Sequence, residues 1–146
     1  MKSKQVFEQD GLRTYVLVLD PGEEAFATIA SFAKAEALAV ASLTAIGAFE
    51  RATVGWFDLD AKTYRPIEVG EQCEALSLLG DVATGDDGQP SLHIHCVVGL
   101  RDGSTRGGHL LKATVRPTLE VTLVETPAHL RRRKRPDLGI ALIDPG

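Results

Sequence analysis

The segment from Leu92 to Leu111 constrains this chain more than any other, because it reads as two strands whose joining loop decides which way every side chain points. Arg101-Asp102-Gly103 suits a three-residue loop, a type I turn followed by glycine in the left-handed conformation. With that loop Leu100 faces Ser104. Counting outward puts His95 opposite His109, and His93 opposite Leu111, on one face of one hairpin. His93 and His95, two apart on a strand, leave that face about 6 to 7 Å from each other. A two-residue loop on Asp102-Gly103 would instead pair His95 with Leu110 and turn His109 to the other face. Gly107 and Gly108 bear on the same register, since glycine inside a strand marks a bulge or a close backbone approach.

Three neutral imidazoles on a rigid hairpin suit zinc or another late first-row divalent transition metal, with a fourth position left to water, substrate or a carboxylate. The bland alternative is polar residues on a half-solvated sheet face, or core histidines satisfied by backbone carbonyls. Three of the four histidines fall on one expected face, which favours the metal reading with His93, His95 and His109 as ligands. His129 has no such partners in the sequence.

The remaining pattern is rich in strands. Leu12 to Leu19 reads as a strand ending at Asp20-Pro21-Gly22-Glu23, a helix start with Asp20 as cap and Glu23 as the capping-box carboxylate. Phe26, Ile29, Ala30, Ala33 and Ala37 then recur at helical spacing, an alanine-rich face that should lie close against a sheet. Val40 to Ile46 reads as a buried strand, Gly47 as a bend, and Ala52, Val54, Trp56 and Phe57 as a second strand ending in the turn Asp58 to Lys62. Tyr64 to Val69 and Glu74 to Leu79 are further strands, and Gly85 to Pro90 is a loop. Thr118 to Glu125 alternates Leu119, Val121 and Leu123 inward against polar residues outward. Residues 1–146 are therefore expected to form a single compact α+β domain, a largely antiparallel or mixed sheet with one main helix.

At 146 residues and 44% hydrophobic content the chain can bury a core without disulfides, and Cys73 and Cys96 read as inert thiols, Cys96 facing away from the histidines. The amino terminus lacks the apolar stretch of a signal peptide and no run is long enough to cross a bilayer, so a soluble cytoplasmic protein without a membrane partner is expected. Net charge is −4, and removing the five charges of Arg131, Arg132, Arg133, Lys134 and Arg135 leaves −9. An acidic body argues against DNA binding over most of the surface. The basic run is the one candidate nucleic-acid contact, against the alternative that it pairs with the acidic body or a neighbouring subunit. Phosphate-loop, Rossmann and nucleophile-elbow motifs are absent, and paired carboxylates such as Asp58 with Asp60 sit where turns favour acids.

Thr44-Ala45-Ile46-Gly47-Ala48-Phe49, Ala52-Thr53-Val54-Gly55-Trp56-Phe57-Asp58, Leu76-Ser77-Leu78-Leu79-Gly80, Leu92-His93-Ile94-His95 and Gly107-Gly108-His109-Leu110-Leu111 together resemble the plants-and-prokaryotes conserved domain, also called PPC, PD1-like or DUF296, over roughly residues 5 to 143. The resemblance implies a homotrimer of α/β domains and, from plant members that carry AT-hooks, a DNA-binding role. This chain has no Arg-Gly-Arg-Pro AT-hook, and Glu71-Gln72-Cys73-Glu74-Ala75-Leu76 keeps only the glutamate and the leucine of the plant Gly-Arg-Phe-Glu-Ile-Leu segment. The histidines are similar to those of metal-containing prokaryotic members and to the zinc site of acetolactate decarboxylase, whose architecture the domain shares.

Two classes of function follow. One is a trimeric metal-binding module with a regulatory or DNA-binding role. The other is a zinc-dependent enzyme acting on a small polar or carbonyl ligand, in which Glu74 is a carboxylate that could assist; no spacing argument identifies a catalytic residue.

Overall fold

The alternating segments fold as strands, and the strands close on one another. A computed structural model describes residues 1–126 and 130–145, in the order β1 (Lys2–Gln9), β2 (Leu12–Leu19), α1 (Ala25–Ala35), β3 (Ala41–Asp58), β4 (Thr63–Val69), β5 (Cys73–Thr84), β6 (Pro90–Gly99), β7 (Thr105–Glu125), β8 (Arg131–Arg135) and β9 (Ile140–Asp144). β3 pairs with both β5 and β7, and β6 also pairs with both β5 and β7. Four long strands therefore form a ring of pairings. β1 and β2 extend it beyond β7, β4 lies along the second half of β3, and β8 with β9 forms a hairpin beside β5. All pairings are antiparallel except the short parallel contact of β8 with β5. The sheet is mixed, with one helix, as the sequence leads one to expect.

Alternation decides what the ring encloses. Leu119, Val121 and Leu123 of β7, Ile94, Cys96 and Val98 of β6, and Leu43, Phe49 and Val54 of β3 are all buried. Burying side chains of this size favours folding by about 1.5–3 kcal/mol each. Ala25, Ile29, Phe32 and Ala33 of α1 cover the same core, and the small alanines bring the helix close. Ala37, expected on that face, lies past the helix end with φ +52°.

Three expectations are corrected by the backbone. Asp20 does not cap the helix: Gly22 has φ +87° and its amide donates to the Val115 carbonyl at 2.9 Å, while Val115 N–H returns a bond to the Glu23 carbonyl at 2.9 Å. Residues 22–24 are thereby held against β7. The helix starts only at Ala25, with Glu24 as the cap, its carboxylate accepting from Phe26 and Ala27 N–H. The two strands expected on either side of Gly47 are one strand of 18 residues. Gly47 sits where the pairing with both neighbouring strands shifts register, and a Cβ there would lie 2.3 Å from the Thr118 carbonyl oxygen, so the position admits only glycine. The basic run, read from its charges, is in fact strand β8.

Arg13 ties three elements together. Its Nε and Nη2 donate to the two carboxylate oxygens of Glu125 at 2.7 Å each, the Arg13 N–H adds a third bond to Glu125 at 2.8 Å, and Nη2 also reaches the Glu36 carbonyl at the end of α1 at 3.1 Å. Hydrogen bonding to Arg13 holds the Glu125 carboxyl below its ordinary pKa. A depressed carboxyl contributes stability above its unfolded pKa, near 4.3, and loses it as pH falls through the folded value. Glu125→Gln should therefore unfold in urea with about 1–3 kcal/mol less stability at pH 7. The gap between wild type and variant should narrow progressively below about pH 4.

A candidate metal centre on the outer sheet face

The loop between β6 and β7 determines where the histidines go. Leu100 N–H donates to the Ser104 carbonyl at 2.8 Å, Gly103 N–H to the Leu100 carbonyl at 2.9 Å, and Gly103 has φ +81°. This is the three-residue loop with glycine in the left-handed position. Asp102 locks it, its carboxylate accepting from the amide and hydroxyl of Ser104 at 2.9 and 2.6 Å. The register runs from Gly99 opposite Thr105 to His95 opposite His109 and ends there. The expected pairing of His93 with Leu111 does not form. On its other side β7 skips Leu111 in its pairing with β3, so the bulge falls after His109 and leaves the histidine register intact.

Gly108 is where the backbones approach. With φ +157°, a Cβ at this position would lie 2.5 Å from the Gly55 carbonyl oxygen of β3. Gly55 is opposite His109 and carries no side chain, and the space it leaves is taken by Leu111 and Tyr64. Tyr64, on β4, thereby crosses β3 and packs edge-on against the His109 ring with centroids 4.9 Å apart. Its hydroxyl lies 3.4 Å from His109 Nδ1. Sequence reasoning passed over Tyr64; the signal was the bare glycine between Val54 and Trp56.

One ligand atom from each of His93, His95 and His109 lies within 4.8 Å of the others. His93 Nε2 is 3.0 Å from His109 Nδ1, and the rings of His95 and His109 are 4.2 Å apart. Ile94 and Cys96 point into the core, so the imidazoles point outward, His95 exposed and the other two half-buried. Burial first, then the neighbouring His95 and His93, pushes His109 down to about 4, and burial with His93 beside it lowers His95. Imidazoles clustered this closely are a donor set that fits a borderline-soft divalent ion.

Asp81 stands behind His93. The two residues are cross-strand partners on β5 and β6, with Asp81 Oδ2 3.8 Å from His93 Nδ1. Burial alone would raise the Asp81 carboxyl, but its contacts with His93 and Arg132 outweigh that and leave it below its ordinary range. Arg132 is the second residue of the basic run. It is 6% exposed and its Nη2 donates to Asp81 Oδ1. Two further members of the run also meet carboxylates, Arg133 that of Asp144 at 3.0 Å and Arg135 that of Asp137 at 3.2 Å. Lys134 uses its backbone N–H to reach Asp86.

The other candidates lie apart from the histidines. Glu74 is opposite Gly99, near the loop end of the hairpin, and is not in the histidine group. Cys73 and Cys96 are free and buried, and burial pushes the Cys96 thiol up to about 12. Asp58 accepts from the Asp60 and Ala61 amides in its turn and pairs with Arg65, the structural use expected of it. His129 lies outside the described residues.

This fold belongs to a family. The model of the Plants and Prokaryotes Conserved domain matches residues 6–127, and the chain is a member of that family. Among solved structures it is similar to a plant- and prokaryote-conserved protein of Pyrococcus horikoshii (32% identity, 90% of this chain and 91% of that one, TM-score 0.84). It is also similar to the metal-containing protein AF0104 of Archaeoglobus fulgidus (33%, 97% and 98%, TM-score 0.81) and to a candidate DNA-binding protein of Bacteroides thetaiotaomicron (28%, 90% and 91%, TM-score 0.84). A Staphylococcus aureus protein similar to α-acetolactate decarboxylase shares the fold alone, at 14% identity over 81% of this chain and 54% of that one with TM-score 0.58. No curated protein matches the chain. Among the described residues no helix is long and apolar enough to cross a membrane.

Proposed function

We propose that this protein is a metal-binding PPC-domain protein whose working centre is a zinc-type divalent ion held by His93, His95 and His109. The observation that carries the reading is the convergence of three imidazole ligand atoms within 4.8 Å on one outward sheet face. A relative at 33% identity is a metal-containing protein, which supports it. An ion in such a site supplies Lewis acidity to a small polar or carbonyl ligand, or lowers the pKa of a bound water towards about 7. The chain's own residues present that ligand with a half-open face bordered by Tyr64 and by Leu79, the cross-strand partner of His95. Purified protein should carry close to one zinc-like ion per chain by elemental analysis, and His95→Ala should lose most of it. Stoichiometric metal in a variant with alanine at all three histidines would reject the site.

The same outer surface supports assembly as a homotrimer. Ile46, Leu76, Leu79 and Val97 are large, apolar and 41–62% exposed, and Ile46 and Leu76 border a groove of about 550 Å³ with Pro117 and Thr118. A large contiguous apolar patch on a protein surface marks an interaction site, which supports the reading. Light scattering at micromolar concentration should give three times the 15.7 kDa chain mass, and a stable monomer would exclude the trimer.

A second reading, DNA binding through the basic run, draws on the Bacteroides thetaiotaomicron relative. Arg132 is withdrawn from that role by burial, and carboxylates offset Arg133 and Arg135. What remains is a weak patch that association of three chains multiplies. Binding to a labelled duplex should then be nonspecific and fall steeply with salt, with a log-log slope of about −0.9 per phosphate neutralised. It should vanish when Arg131, Arg133, Lys134 and Arg135 are neutralised with Arg132 left in place. Salt-insensitive, sequence-selective binding by both proteins would place the DNA surface elsewhere.

A further inference from the structure

The basic run contributes one residue to the interior, and that residue faces the histidine site. Arg132 comes from β8, which lies beyond the stretch the family model matches. β8 is set beside β5 by the pairing of Thr84 with Arg131 and by the Thr84 N–H bond to the Leu130 carbonyl at 3.2 Å. From there Arg132 reaches Asp81, and Asp81 in turn faces the Nδ1 side of His93. The Nε2 side of the same ring faces His109 Nδ1. One imidazole thus has a carboxylate at one nitrogen and the ligand cluster at the other.

We propose that Asp81 and Arg132 are positioning residues for the metal centre: Asp81 takes the Nδ1 proton of His93 in a hydrogen bond, which commits Nε2 to the ion, and Arg132 fixes the carboxylate in that orientation. The inference rests on the metal reading and deepens it by naming what orients a ligand. Carboxylate partners of metal-bound histidines set the tautomer and the ring angle and raise ligand basicity. The 3.8 Å separation closes to a hydrogen bond with a shift of roughly 1 Å.

The buried arginine fits this use. Arg132 is buried while Asp81 is only half-buried, and an arginine withdrawn from water is a weak source of stability, because its desolvation offsets much of its attraction to the carboxylate. Arg132 Nε is buried with no hydrogen-bond partner among the described residues. Among the described residues the guanidinium donates to Asp81 through Nη2. The second Asp81 oxygen is left to His93.

Two readouts test the proposal. In metal-free wild-type protein at about pH 8, long-range proton–nitrogen NMR should find neutral His93 with its proton on Nδ1; the Nε2–H tautomer would overturn the proposal without need of any variant. Asp81→Asn should shift His93 towards the Nε2–H tautomer and weaken zinc affinity, measured by competition with a chromophoric chelator, by about 10–100-fold. Arg132→Lys should weaken it less, and Asp81→Asn combined with Arg132→Met should bind no more weakly than Asp81→Asn alone, since arginine acts only through the carboxylate. Unchanged affinity and tautomer in Asp81→Asn would remove the positioning role while leaving the three-histidine site standing. Wild-type protein that binds no zinc would remove the metal reading, and the tautomer would still decide whether Asp81 holds His93.

Discussion

Everything about the site depends on the register of one hairpin. The bond from Leu100 N–H to the Ser104 carbonyl, with Gly103 in the left-handed conformation, makes β6 and β7 pair so that His95 meets His109. A slip of one residue would turn Ile94, Cys96 and Val98 out to water and bring the histidines into the core. Those three residues are 0–1% exposed, and losing their burial costs several kcal/mol at about 1.5–3 kcal/mol for each large aliphatic side chain. The core and the candidate metal centre are therefore two faces of one constraint. The apolar side holds the register, and the polar side inherits its geometry.

Closure of the ring then decides what surrounds the histidines. β7 runs between β6 and β3, so His109 has His95 on one side and Gly55 on the other. Gly108 lets the β3 backbone come close, and Gly55 lets Tyr64 cross from β4. Two glycines thus give His109 an aromatic wall on one flank while the other stays open to the ligand cluster. On the far side β5 presents Asp81 to His93, and a hairpin from the end of the chain presents Arg132 to Asp81. Charge that looked like a surface patch is partly spent within the fold: of the five residues of β8, Arg132 is buried and the other four are exposed.

Membership of the Plants and Prokaryotes Conserved family accounts for the strand order but does not by itself choose a function. Its relatives include a metal-containing protein and a candidate DNA-binding protein on closely similar backbones. Fold is shared more widely than chemistry, so function is argued from the residues at the site. Here the imidazole cluster and its carboxylate form a coherent constellation, whereas the basic run is partly neutralised by Asp81, Asp144 and Asp137.

Much of this was written locally. The Arg101-Asp102-Gly103 loop, the two-residue spacing of His93 and His95, and the alternation from Thr118 to Glu125 each depend on a few neighbouring residues, so the sequence alone made legible the hairpin register, the grouping of the three histidines and the inward face of the final long strand. The glycines read as a bend at Gly47 and as a bulge or close approach at Gly107 and Gly108 did not say what they meet: Gly47 meets the Thr118 carbonyl and Gly108 meets Gly55, contacts between residues tens of positions apart. The helix start was displaced from Asp20 to Glu24 because β7 recruited residues 22–24 into hydrogen bonds that no local pattern encodes. Tyr64 beside His109, and Arg132 against Asp81, were decided by tertiary structure alone. Each needs two strands brought together by a third, and a side chain's partner across such a closure is set by the packing of the whole sheet.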